Sequence, residues 1–234
     1  MILAQLQIRG ADDAGDSCVA NNGFCPRWIA DNWKDYTAPL VEHLELTLIS
    51  VAIGFVIAFT LAIIAHRRRW LIPPITQLTG ILYTLPSVAL FFLLLPLTGR
   101  GKTTAVIALV AYTLLIIFRN VITGLEGVPA EARDAGRGMG LTPRQLLWRV
   151  ELPLALPAIM AGLRIAVTTT VGLTALVFLA GAGGLGEKIF NDMQFRSNVV
   201  VAGGLCVLLA IVLDLLVLTV QKLMTPWTRR AATA

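Results

Sequence analysis

Five apolar stretches dominate this sequence, at about 44–65, 72–97, 103–125, 158–180 and 199–221. Each reaches the roughly 20 residues that an α-helix needs to cross a hydrocarbon core about 30 Å thick. A chain with five such runs has few ways to fold outside a bilayer. Composition agrees: charged residues make up 14% of the 234 positions and apolar residues 56%, whereas a soluble domain carries about 25% charge. A soluble globule, a disordered chain and a disulfide-stapled miniprotein are therefore excluded. The expected fold is an all-α membrane protein with five transmembrane helices.

The net charge of +5 reflects the concentration of Lys and Arg in cytoplasmic loops. Nucleic-acid binding is not expected, because no basic stripe carries interleaved aromatics. Arg67, Arg68 and Arg69 follow the first span, Arg133, Arg137, Arg144 and Arg149 lie between the third and fourth, and Lys222, Arg229 and Arg230 follow the fifth. Placing these clusters in the cytoplasm puts the N-terminus outside and the C-terminus inside, as an odd number of spans requires. The expected organisation is an extracytoplasmic tail over 1–40, a transmembrane domain over 41–225 and a cytoplasmic tail over 226–234. The first forty residues are mostly polar and lack the pattern of a cleavable signal peptide. Their five aspartates, Asp12, Asp13, Asp16, Asp31 and Asp35, outnumber Arg9, Arg27 and Lys34, so the tail can be translocated.

Cys18 and Cys25 fall in that exported tail, where thiols are usually oxidised, with Asn22-Gly23 between them as a turn. A disulfide is expected there; the alternative is two free thiols. Cys206 lies inside an apolar span and reads as core. Trp28 and Trp33 stand among charges, which suits a helix lying at the membrane interface. Three cysteines and two histidines are too few and too scattered for a metal site, and no metal is expected.

Two motif matches fail on context. Gly181-Ala-Gly183-Gly184-Leu-Gly186 has the dinucleotide spacing, but that fingerprint works only between a strand and a helix of a βαβ unit. Here it follows a membrane span, so a tight turn or close helix contact is expected. Gly101-Lys102-Thr103 resembles the end of a phosphate loop, yet the loop's first glycine would fall on Pro96. This chain is not expected to bind ATP. The two short helices expected between the third and fourth spans do not make a DNA-reading unit, since they are tied to membrane at both ends and lack a third helix.

That connection, 128–154, is the long polar segment besides the tail. Pro129 stands where a helix would begin, with Glu131 in its first turn, and Gly140 is a natural left-handed stop. Thr142 then caps a second helix, Pro143 takes its first position and Gln145 completes a capping box. Leu146, Leu147, Val150 and Leu154 form its apolar face, and Pro153 and Pro157 are expected to end it before the fourth span. Helix, glycine turn, helix on the cytoplasmic side suits docking on a soluble partner.

Asp134-Ala135-Gly136-Arg-Gly-Met-Gly140, nine residues, Val150, one residue, then Leu152-Pro153 resembles the Glu-Ala-Ala loop of ABC importer permeases. Ala135, Gly140, Leu152 and Pro153 match that pattern, and Asp134 and Val150 are conservative. Gly136 stands where the family has Ala. Tyr83-Thr84-Leu85-Pro86-Ser87, Phe118-Arg119-Asn120 and the 181–186 glycine run are similar to the glycine betaine, carnitine and choline subclass. The resemblance covers roughly 40–225 and implies the five-helix fold of type I ABC importers. It also implies a second permease subunit, identical or related, two cytoplasmic ATPase subunits that bind ATP and Mg, and an external substrate-binding protein. No cofactor is implied in this chain.

Charges inside the spans carry a separate signal. Arg119, Arg164 and Asp214 each sit roughly 10 Å inside the cytoplasmic end of a span, where charges are costly and usually paired or water-facing. Asp214 is expected to pair with Arg164 or Arg119; the alternative is that each arginine snorkels to the interface. Pro86 interrupts the second span, with Thr84 and Ser87 supplying hydroxyls for the freed backbone groups. With Tyr83 these residues are candidates for the translocation path, since broken helices commonly line such paths. The expected function is the permease subunit of an ATP-driven importer for an osmoprotectant, or for another small amino-acid-like or quaternary-amine solute. The rival class, a self-sufficient channel or secondary transporter, predicts paired acids along a pore, and only Asp214 is buried in a span.

Overall fold

The computed structural model describes residues 17–226. The tail charges Arg9, Asp12, Asp13 and Asp16, and the terminal Arg229 and Arg230, lie outside the described residues. In chain order the elements are α1 (Ser17–Ala20), α2 (Pro26–Asp31), a 3₁₀ turn (Trp33–Tyr36), α3 (Thr37–Arg67), a 3₁₀ turn (Arg69–Leu71), α4 (Ile72–Thr84) and α5 (Ser87–Thr98). There follow α6 (Lys102–Glu126), α7 (Ala130–Gly138), α8 (Pro143–Thr174), a 3₁₀ turn (Val177–Ala180), α9 (Leu185–Asn191) and α10 (Arg196–Met224). Among the described residues there is no strand.

Among the described residues four stretches are long and apolar enough to cross a membrane: Trp33–Arg67, Lys102–Glu126, Pro143–Thr174 and Arg196–Met224. The fifth crossing is a bent pair, in which α4 and α5 meet at 97°. The expected single helix over 72–97 is thus two helices broken at Leu85-Pro86, because proline removes a backbone donor and restricts the residue before it. Leu85 and Pro86 are both extended there, with ψ near 132°.

The fourth span also departs from expectation. It starts at Pro143 rather than near 158 and ends at Thr174 rather than 180. Pro153 and Pro157 do not end the preceding helix. A π turn over Leu147–Glu151 loosens the ladder just before Pro153, an adjustment that lets membrane helices accept proline, and Pro157 lies inside the helix that follows.

The chain divides into two compact units. One takes in the chain up to Ser50 with Pro86–Leu109 and Thr169–Ile211. Its core gathers Val19, Cys25, Trp28, Tyr36, Leu185, Phe195, Ala202 and Leu205. Trp28 is only 3% exposed and meets Phe195 edge-on at 4.7 Å, so it is core rather than an interfacial anchor. Trp33 remains 49% exposed. Polar contacts fix the same segment: Tyr36 Oη donates to Asn198 Oδ1 at 2.9 Å, and the Cys25 amide donates to Ser197 Oγ at 2.8 Å. Cys18 and Cys25 are joined by a disulfide, and Asn22 takes a positive φ of 56° in the turn between them.

The glycine run of this unit is a packing device. Gly184 has φ +98°, and a Cβ on Gly186 would stand 1.8 Å from the Ala175 carbonyl oxygen. Lys102 is held by Glu42 and Glu45, each at 3.2 Å. Cys206 is a free thiol, half-buried against this core.

The other unit takes in Val51–Leu85, Val110–Thr168 and the chain from Val212. Ala58, Ala62 and Ala65 form a fully buried stripe on α3, against which Phe118, Val121, Leu125, Leu147, Ala155 and Ile159 complete the core. Small residues at helical spacing let membrane helices approach closely, where van der Waals packing holds them.

Candidate functional site

The two-helix module of the second unit is built by its capping residues. Gly140 has φ +76° and ends α7 with paired turn bonds: its amide donates to the Arg137 carbonyl at 2.9 Å, and Leu141 donates to Gly136 at 3.2 Å. This pattern satisfies the last carbonyls of a helix and requires a left-handed residue, which glycine supplies without strain. Thr142 Oγ1 then accepts the Gln145 amide at 3.3 Å while Gln145 Oε1 accepts the Thr142 amide at 2.9 Å, so the capping box is closed. Pro129 is the residue before α7 rather than part of it.

The motif residues divide by exposure. Asp134, Ala135 and Gly140 are exposed, Gly136 and Leu152 are buried, and Val150 and Pro153 are half-buried. Asp134 accepts Arg137 at 3.3 Å on the open face, and Met139 is 73% exposed. Gly136 is where α7 rests on α8: a Cβ there would stand 2.6 Å from Leu146 Cδ1, with Leu141 and Val150 next. Glycine in place of the family's alanine brings the helix onto its neighbour. Of the expected apolar face, Leu146 and Leu147 are buried and Leu154 is exposed.

A carboxylate that the sequence reading passed over pins this module. Glu151 is 7% exposed. Its Oε1 accepts Arg133 Nε at 3.0 Å and its Oε2 accepts His66 Nε2 at 3.0 Å. Arg133 also donates to the Leu125 carbonyl at the end of α6. One buried acid thereby ties α7, α8 and the last turn of α3. Such a pair is costly to break, because removing one partner strands the other's charge. The available signal was position: Glu151 is the single acid between Pro143 and Thr174.

Asp214 pairs with Arg164 in a two-pronged contact, Nε to Oδ1 at 2.8 Å and Nη2 to Oδ2 at 2.6 Å, the geometry that makes Arg–carboxylate bonds strong. Arg119 is exposed and makes no ion pair among the described residues. At the break in α4–α5, the freed carbonyl of Leu85 is taken by the Tyr112 hydroxyl, not by the side chains expected. Thr84 Oγ1 donates instead to the Ile81 carbonyl at 2.8 Å within its own helix, and the Ser87 hydroxyl makes no hydrogen bond among the described residues. Tyr83 is partly exposed and meets the Tyr112 ring edge-on at 5.9 Å. Among the described residues no group of three or more His, Cys, Asp or Glu is placed to hold a metal ion.

A helical protein with five apolar crossings, one of them broken, and a capped two-helix module between the third and fourth is a membrane permease in class. Residues 46–230 match the family of binding-protein-dependent transport system inner membrane components, and the chain belongs to that family. The osmoprotectant import permease protein OsmW of Salmonella typhimurium is 40% identical over 207 residues, covering 85% of this chain and 96% of that one. The choline transport system permease protein OpuBB of Bacillus subtilis is 36% identical over 187 residues, covering 79% and 86%. The glycine betaine/carnitine/choline transport system permease protein OpuCB of the same organism is 35% identical, with the same coverage. Among solved structures, the inward-facing MetNI methionine ABC transporter matches with a TM-score of 0.69 at 26% identity, over 82% of this chain and 94% of that one. The chain is thus a multi-pass membrane component of an ABC importer, a role that implies ATPase and substrate-binding partners.

Proposed function

We propose that this chain carries small osmoprotectants such as glycine betaine, choline or carnitine across the membrane, as the permease subunit of an ATP-driven importer. The observation that carries the reading is the two-helix module, capped by Gly140 and Thr142 and pinned by Glu151, in a family whose similar members are named for those solutes. Asp134, Ala135, Arg137 and Met139 form the open face that enters an ATPase groove. Two ATPase subunits bind ATP and Mg and drive a pair of permeases, identical or related. An external binding protein selects the substrate, with an aromatic cage suited to a quaternary ammonium by cation–π attraction. The N-terminus lies outside and the C-terminus in the cytoplasm, which puts the arginine-rich module on the ATPase side. Tyr83, Thr84, Pro86 and Ser87, at the broken helix, line the path.

The test is uptake of labelled glycine betaine, choline and carnitine. No atom lies within 4 Å of a Cβ built on Gly140, so Gly140→Val acts through backbone strain of about 1–3 kcal/mol at positive φ. It is expected to abolish uptake and ATPase co-purification while leaving membrane abundance unchanged; Thr103→Ala, in the first turn of α6, leaves all three intact. Normal uptake by Gly140→Val would overturn the docking role. Uptake of a different amino-acid-like solute, with the same dependence on Gly140, would move the substrate class and leave the coupling intact.

A further inference from the structure

Three cavities on the second unit join end to end through shared residues. The first, about 520 Å³, is almost wholly apolar and is walled by Phe55, Phe59, Leu156, Ile159, Met160 and Trp148. Trp148 also lines the second, about 320 Å³, with Ile63, Ile64, Arg67 and Arg144. Arg67 and Arg144 in turn line the third, about 580 Å³, with His66, Arg137, Thr142 and Glu151.

The charge in the third cavity is not balanced. Glu151 is the one acid in these linings, and both of its oxygens are already taken by Arg133 and His66. Arg137 faces Asp134 at 3.3 Å. Arg67 and Arg144 are exposed and make no ion pair among the described residues. An apolar groove therefore leads past an indole to two unpaired guanidiniums. Trp148 is 55% exposed at that junction, as indole rings are where hydrocarbon meets headgroups.

Dimensions narrow the occupant. Along α3 the rise from Phe55 to Arg67 is about 18 Å, close to the roughly 15 Å of one leaflet in a hydrocarbon core about 30 Å thick. We propose that this unit binds one anionic glycerophospholipid, its phosphate on Arg67 and Arg144 and an acyl chain along Phe55 and Phe59. A second permease copy or an ATPase would have to match apolar surface and two cations along one narrow line, whereas an anionic lipid does so by construction. Basic pockets beside membrane helices take such headgroups. The site rests on the membrane reading alone; the orientation proposed above decides only which leaflet supplies the lipid. Since Arg144 stands in the first turn of α8, the headgroup sits beside the module that faces the ATPase.

The experiment is native mass spectrometry of the purified full chain after equilibration in mixed micelles of phosphatidylglycerol and phosphatidylcholine. One retained phosphatidylglycerol per chain is expected, favoured about tenfold or more over the zwitterionic lipid. R67Q/R144Q should remove that preference, R67K/R144K should keep most of it, and Leu156→Trp, which fills the groove, should lower retention of both lipids. Equal retention of the two lipids by the unaltered protein overturns the proposal, as does an unchanged preference in R67Q/R144Q. Displacement by millimolar inorganic phosphate would define a free-phosphate site and also overturns it. So would cross-linking from Trp148 to a second permease or an ATPase that excludes lipid from the assembled complex. Should R67Q/R144Q fail to fold, the preference of the unaltered protein and the phosphate competition decide.

Discussion

Asp214 and Glu151 are both acids held by arginine, yet only one of them was legible. Asp214 interrupts an apolar span, where any charge demands a partner, and the choice between Arg164 and Arg119 needed the structure. Glu151 falls in the segment expected to be a polar connection, close to Arg144 and Arg149, where a carboxylate needs no buried partner; its burial arises only when α7 folds back over α8. Magnitudes separate it from the exposed pair nearby. Glu151→Ala strands Arg133 and His66, a loss on the order of 3–5 kcal/mol in soluble cores, while the exposed Asp134–Arg137 pair is worth about 0–1 kcal/mol. Thermal unfolding of the purified permease should therefore show a large drop for Glu151→Ala and almost none for Asp134→Ala. Equal drops would mean that Glu151 does not pin the module.

At the level of helices, hydropathy finds the crossings and misses their ends and their shape. Span one starts at Trp33 rather than near 44, because polar residues that hydropathy discounts continue the helix, His43 among them, bonded to the Val171 carbonyl. The break at Pro86 was legible as a proline; its 97° size and its use of Tyr112 were not, because the partner lies on another helix. The capping residues Gly140, Thr142 and Gln145 were fully legible, since caps are local chemistry. Pro153 misled for the opposite reason: a π turn just before it loosens the ladder where its ring would clash, and no local rule places that turn. Tyr112→Phe removes the donor to Leu85 and should cost about 0.6–2 kcal/mol. Tyr83→Phe keeps its ring contact and should be neutral. Unfolding in detergent distinguishes them, and equal stability of Tyr112→Phe and the parent would show that the break is held by other means.

For the molecule as a whole, orientation is the property on which the arginine clusters bear. A reporter active only in the cytoplasm should work when fused after Ala234 and fail when fused before Met1; the reverse would place the module on the wrong side for an ATPase. The docked N-terminal segment adds a constraint in time. Trp28, Tyr36 and Cys25 find their partners at Phe195, Asn198 and Ser197, at the start of α10. A ribosome delivers those partners 162 to 172 residues later. This segment is thus made long before it can be fixed, and a chain that stops short of Phe195 leaves Trp28 without its ring partner. Formation of α10 is in this sense registered in the segment around Trp28, where any protease that cuts exposed chain can read it.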